Sequence, residues 1–120
     1  MSIHHGSHWL EREDFGRVTV ARLKTPKILD DDVIRAVFDP IYALSSVGRN
    51  HVVLNLATVD YLPSMALGKL VMLSRRIEVG NGRLALCRLS PAVQEVLETT
   101  RLNDLFNIYP TEEEALQSFA

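Results

Sequence analysis

The most continuous apolar run in the chain is His51-Val52-Val53-Leu54-Asn55-Leu56-Ala57-Thr58-Val59. A strand buried on both faces has this pattern, whereas a strand with one wet face alternates. A short hinge follows, Asp60-Tyr61-Leu62-Pro63-Ser64, and the periodicity then changes from strand to helix. From about Ser64 to Val79, at 100° per residue, Ala66, Leu67, Leu70, Leu73, Ser74 and Ile77 share one face, which is the core face. Met65, Lys69, Met72 and Arg76 fall within an arc of about 80° on the opposite side. Two methionines framed by two cations on a solvent face suit an adaptable binding surface. Ser64 is the hydroxyl at the point where strand, hinge and helix meet.

The rest of the chain takes its elements from the same patterns. Residues 1–8 read as a flexible tail holding His4, His5 and His8. Trp9–Phe15 alternates imperfectly and is expected as an edge strand. Gly16 turns the chain into Arg17–Leu23, where Val18, Val20 and Arg22 oppose Thr19, Ala21 and Leu23, so the two form a hairpin. A loop with Pro26 leads to Asp30-Asp31-Asp32, which caps a helix from Val33 to about Ser46. Pro40 lies inside it and predicts a kink or a split, and Gly48 ends it. Gly80-Asn81-Gly82 closes the Ser64–Val79 helix, and Arg83–Leu89 is a second buried strand. Ser90-Pro91 opens a third helix to about Thr100, Leu105–Tyr109 is a short last strand, and Thr111 with Glu114 starts a final helix. The order β-β-α-β-α-β-α-β-α predicts one α/β domain over 9–120. Its sheet is mixed, largely parallel and four- to five-stranded, with about four helices packed on it.

Composition narrows the function more by exclusion. The chain has 120 residues, 47% hydrophobic and 23% charged, with a formal net charge of −2. No basic stripe marks a nucleic-acid binder. No apolar stretch approaches the roughly 18–20 residues that span a bilayer, and no signal peptide is expected. The single Cys87 has no partner for an internal disulfide, which fits a reducing cytoplasm. His4, His5 and His8 lack a neighbouring Cys or carboxylate cluster, so no metal site is assigned. Phosphate-cradling glycine loops, paired-cysteine motifs and nucleophile elbows are all missing. His51 sits at the far end of the strand from Ser64, too remote to act as its base. The sequence therefore predicts a non-catalytic domain without a cofactor.

The run Val52-Val53-Leu54-Asn55-Leu56, Val59-Asp60-Tyr61-Leu62, Ser64, Leu67-Gly68 and Leu70 resembles the signature of STAS domains, the family of bacterial anti-sigma factor antagonists. The resemblance continues through Leu84-Ala85-Leu86-Cys87, Leu89-Ser90-Pro91, Asp104-Leu105-Phe106 and Glu113-Glu114-Ala115-Leu116, covering about 9–119. It implies that Ser64 is the phospho-acceptor of a partner serine kinase that doubles as an anti-sigma factor. It implies too that Asp30 lies near the acceptor. The family hinge typically reads Asp-Ser-Ser-Gly-Leu-Gly. Here Pro63 stands in place of the Asp, Met65 of the second Ser and Ala66 of the first Gly, while Leu67 and Gly68 match.

Elementary electrostatics gives such a switch a mechanism. Phosphate on Ser64 adds about −1.5 to −2 charge at a helix N-terminus, where the helix dipole tolerates it. A partner packed on Met65, Gly68, Lys69, Met72 and Arg76 would meet a desolvated dianion. The alternative keeps the fold and drops the switch. The chain is then a constitutive adaptor beside other STAS or ATPase subunits, in a stress-signalling complex or a lipid-transport ABC complex. A homodimer is compatible with either.

Overall fold

The computed structural model describes residues 2–6, 9–25 and 30–120. The elements run β1 (Ser2–Gly6), β2 (Leu10–Phe15), β3 (Val18–Leu23), α1 (Asp31–Ser46), β4 (His51–Asn55), α2 (Ser64–Val79), β5 (Arg83–Cys87), α3 (Pro91–Thr99), β6 (Asn107–Tyr109) and α4 (Glu112–Gln117). All strands join one sheet in the order β1-β2-β3-β4-β5-β6. The β1–β2 and β2–β3 pairs are antiparallel, and the remaining three are parallel. The mixed, largely parallel α/β sheet with four helices is thus as the sequence predicts.

Among the described residues the sheet has six strands, the four- to five-stranded core of the prediction plus β1 at its edge. Ser2–Gly6, read from sequence as part of a tail, pairs antiparallel with β2, from Ser2 opposite Phe15 to Gly6 opposite Glu11. β2 is therefore an inner strand rather than the edge. Strand pairing needs only backbone N–H and C=O groups, so a polar segment gives little side-chain warning of it. His8 and residues 26–29, where a loop is predicted, lie outside the described residues, as do the side chains of His4 and His5.

Each crossover from β3 to β6 moves the chain one strand along in the same direction. A constant hand of crossover then puts α1, α2 and α3 on one face. That face buries Ala21, Leu23, Val52, Leu54, Leu84 and Leu86 against Phe38, Ile41, Leu70, Leu73, Ile77 and Leu97. The alternate residues Val20, Val53, Ala85 and Cys87 face the other way, under Ala115 of α4. Both faces of β4 are covered, and this is why its sequence is continuously apolar.

β4 is shorter than its apolar run. Asn55 accepts a hydrogen bond from the backbone N–H of Ala57 at 2.9 Å, and this side-chain turn ends the strand. Leu56 and Val59 stay buried, but as turn residues. α1 is one continuous helix through Pro40, without the predicted split. Pro40 removes the N–H that would bond the Ala36 carbonyl; Ala36 is half-buried and Pro40 exposed, so water can serve that carbonyl.

The three crossover helices end alike. After α1, Gly48 has φ +79°, with Gly48 N–H to Ser45 O and Arg49 N–H to Leu44 O. After α2, Asn81 (φ +61°) and Gly82 bond Glu78 O and Ile77 O, and after α3, Arg101 (φ +61°) and Leu102 bond Glu98 O and Leu97 O. In each case a left-handed residue lets two successive N–H groups satisfy the last carbonyls.

Candidate functional site

The carboxyl ends of β3 and β4 feed the starts of α1 and α2, so those two helix N-termini lie along one edge of the sheet. Leu62 and Val59 anchor the hinge in the core, leaving Asp60 and Tyr61 exposed. Ser64 is the first residue of α2 and is exposed. Pro63 occupies the cap position in extended geometry and gives no side-chain cap. The other helices are capped by Asp30, Ser90 and Thr111, each accepting the N–H three residues on. α2 also has no acidic residue in its first turn, unlike α1 and α4. Its first-turn N–H groups and the positive end of its dipole therefore face outward without compensation.

Asp30 has a structural job: its carboxylate accepts the Val33 N–H at 3.0 Å. Asp31 and Asp32 are exposed in the first turn of α1, and Asp32 pairs with Arg35 at 2.7 Å. Asp30 at the cap of α1 and Ser64 at the start of α2 follow the carboxyl ends of the adjacent parallel strands β3 and β4.

Along α2, the six residues assigned to the core face from periodicity are the six that are buried. On the opposite side Met65 is 55% and Met72 58% exposed. Gly68 lies between them, and a Cβ built there meets nothing within 4 Å. Close packing among the described residues therefore gives no reason for a glycine in mid-helix. The two cations have partners in α1. Tyr42 donates to Lys69 O at 2.8 Å, and the Lys69 ammonium and Arg76 guanidinium lie 5.7 and 5.9 Å from its ring centre. Arg76 also donates to the Ser45 and Ser46 hydroxyls, at 2.5 and 3.2 Å. Burial pushes the Tyr42 phenol above its ordinary pKa, against the pull of Arg76. Lys69 and Arg76 are thus turned into the α1–α2 seam rather than framing the methionines freely.

Two polar clusters escaped the sequence reading. In the first, the Glu112 carboxylate accepts two N–H bonds from Arg22, both 2.8 Å, and one from Asn55 at 3.0 Å. Arg22 also pairs with Glu13 at 2.9 Å and Glu11 at 3.4 Å. Hydrogen bonds from Arg22 hold the Glu112 carboxyl below its ordinary pKa despite burial, with Asn55 helping. The bond to Glu112 likewise raises that of Arg22. This network floors an open cleft of about 420 Å³ with Lys24, Thr58 and Arg88 among its walls. In the second, buried Asp14 accepts a bidentate pair from Arg12, both 3.0 Å, and the Thr19 hydroxyl at 3.0 Å. Burial pushes Asp14 up, but the bonds from Arg12 and Thr19 and the charges of Arg12 and Arg49 outweigh it, so its pKa is lowered. Arg22 and Glu112 are 90 residues apart, and no local pattern joins them.

His51 stays at the amino end of β4, its ring edge-on to Phe119 at 5.7 Å, so the structure does not bring it to Ser64. Cys87 is fully buried, and burial pushes its thiol up to about 12. Among the described residues no group of three or more His, Cys, Asp or Glu is placed to hold a metal ion. No helix of the described residues is long and apolar enough to cross a membrane.

The family model for the STAS domain matches residues 8–115, and the chain belongs to that family. A relative from Bordetella bronchiseptica named as an anti-sigma factor antagonist, BtrV, is 32% identical over 72 residues. That match takes in 60% of this chain and 62% of the relative's length. Among solved structures, an anti-sigma factor antagonist from Thermotoga maritima superposes with a TM-score of 0.81 at 25% identity, covering 92% of this chain and 94% of the other. A STAS domain protein from Planctomyces limnophilus gives 0.81 at 25%, covering 91% and 96%. Bacillus SpoIIAA in its phosphorylated form shares the fold, with a TM-score of 0.71 at 22% identity over 92% and 99%.

Proposed function

We propose that this protein is a non-catalytic regulatory module, an anti-sigma factor antagonist that binds an anti-sigma factor through the start and outer row of α2. The observation that carries this reading is the row Ser64, Met65, Gly68, Met72. It is exposed along one helix, and its glycine has open space above it. A glycine with no neighbour among the described residues suits a partner whose backbone comes close. Lys69 and Arg76 flank the row from the Tyr42 seam. Phosphorylation of Ser64 by a partner kinase is the switch. The uncapped N-terminus of α2 tolerates the added charge, while the apolar partner surface over Met65 does not. Asp30, Asp31 and Asp32 at the start of α1 add like charge to that of the phosphorylated Ser64.

The absence of an acidic residue at Pro63 favours a second reading, a constitutive adaptor that uses the same row without modification. Intact-mass spectrometry of the protein from its native cells, with and without phosphatase and beside Ser64→Ala, separates the two. A phosphatase-sensitive 80 Da increment that disappears in Ser64→Ala is the expected result, the increment being roughly the mass added by one phosphoryl group. A single unmodified mass under both growth and stress would overturn the switch and leave the adaptor.

A further inference from the structure

We propose that α4 is a detachable strap, which opens from the sheet separately from the unfolding of the rest of the domain and uncovers a second apolar face of Val20, Val53, Ala85 and Cys87. α4 has six residues, and only Ala115 of them is buried. Leu116 and Phe119 add half-buried contacts to the same patch. α1 and α2 bury five and six residues in the larger core on the other face. A helix of this length does not persist without its packing.

What holds α4 closed is the small apolar cover of Ala115, Leu116 and Phe119 over the sheet, with polar ties at its two ends. At the start, Glu112 takes its three hydrogen bonds from Arg22 and Asn55. Beyond the end, Arg83 donates to the Ser118 hydroxyl at 2.7 Å and to its carbonyl at 3.3 Å, and lies 5.0 Å from the Phe119 ring centre. These groups are half-buried, the Arg22 and Glu112 side chains being 24% and 22% exposed. Water can reach each of these ties, and the apolar area under α4 is small beside the larger core, so opening α4 costs less than unfolding the domain. α4 is also joined to the rest by the shortest strand, β6, and by Pro110, which has no N–H to extend it. Segments with few buried apolar contacts and solvent-accessible polar ties are those that open below the global unfolding free energy.

Cys87 reports the opening, since it is the one cysteine, is fully buried, and lies in the patch under α4. The full chain is mixed with excess dithiobis(nitrobenzoate), and labelling is followed across a urea series. Global unfolding is followed in parallel by Trp9 fluorescence. The expected labelling rate falls into two regimes, a shallow urea dependence at low urea and a steep one that joins global unfolding near its midpoint. Glu112→Gln is expected to raise the low-urea rate about five-fold, while Glu98→Gln on α3 leaves it unchanged. Labelling of the unmodified chain that follows the steep global slope at every urea concentration overturns the strap, with no variant needed. So does a Glu112→Gln rate equal to that of the unmodified chain at low urea.

Discussion

Replacing Gly68 by alanine separates what the residue does for the fold from what it does for a partner. A Cβ at this position meets nothing within 4 Å, so the methyl group enters open space. The remaining effect on folding is helix propensity, which favours alanine over glycine by about 0.8–1 kcal/mol in a helix interior. Unfolding entropy of about 2.1 cal/mol/K per residue gives about 0.25 kcal/mol/K for this chain, so Tm should rise by about 3–4 °C. Binding should move the other way. A methyl group forced into a packed contact costs about 1–3 kcal/mol, or about 5- to 150-fold in affinity. Scanning calorimetry reads the first effect, and isothermal titration against the anti-sigma factor of the same organism reads the second. A lowered Tm would refute the open space. An unchanged affinity would take Gly68 out of the contact row and with it the main support for that surface.

Gly82→Ala should do the opposite to stability. Its Cβ would stand 1.9 Å from Asn50 O, the carbonyl that accepts the Arg83 N–H, so backbone must move and a loss of about 2–4 kcal/mol is expected in urea unfolding. A loss below about 1 kcal/mol would show that the β4 and β5 starts give way easily. Arg101→Gly relieves a left-handed residue at the end of α3 and should stabilise by up to about 1 kcal/mol, measured by the same titration. Asp14 and Glu112 have folded pKa values below their ordinary ones, so their contribution is full above the unfolded carboxylate range and is lost as pH falls through the folded values. The urea midpoint should therefore drop from about pH 5 downward, and Asp14→Asn and Glu112→Gln should each flatten that slope.

The amino-acid sequence by itself determined the elements whose signal is local. The core face of α2 follows from residues three and four apart, and the caps Asp30, Ser90 and Thr111 from hydroxyl or carboxylate side chains just before an apolar helix. The largely parallel sheet follows from the alternation of strands and helices. The exposure of Met65 and Met72 was legible for the same reason, because a helix has only one core face here. Tertiary structure decided whatever depends on groups distant in sequence or on backbone alone. β1 pairs through main-chain groups that carry no side-chain pattern. Lys69 and Arg76 read as surface cations on α2, but Tyr42 and Ser45 on a neighbouring helix draw them into a seam. Arg22 and Glu112 meet only because the last helix returns to the face of the sheet opposite the crossovers. Periodicity reports the direction in which a side chain leaves its own element; which group waits there is set by how the elements pack.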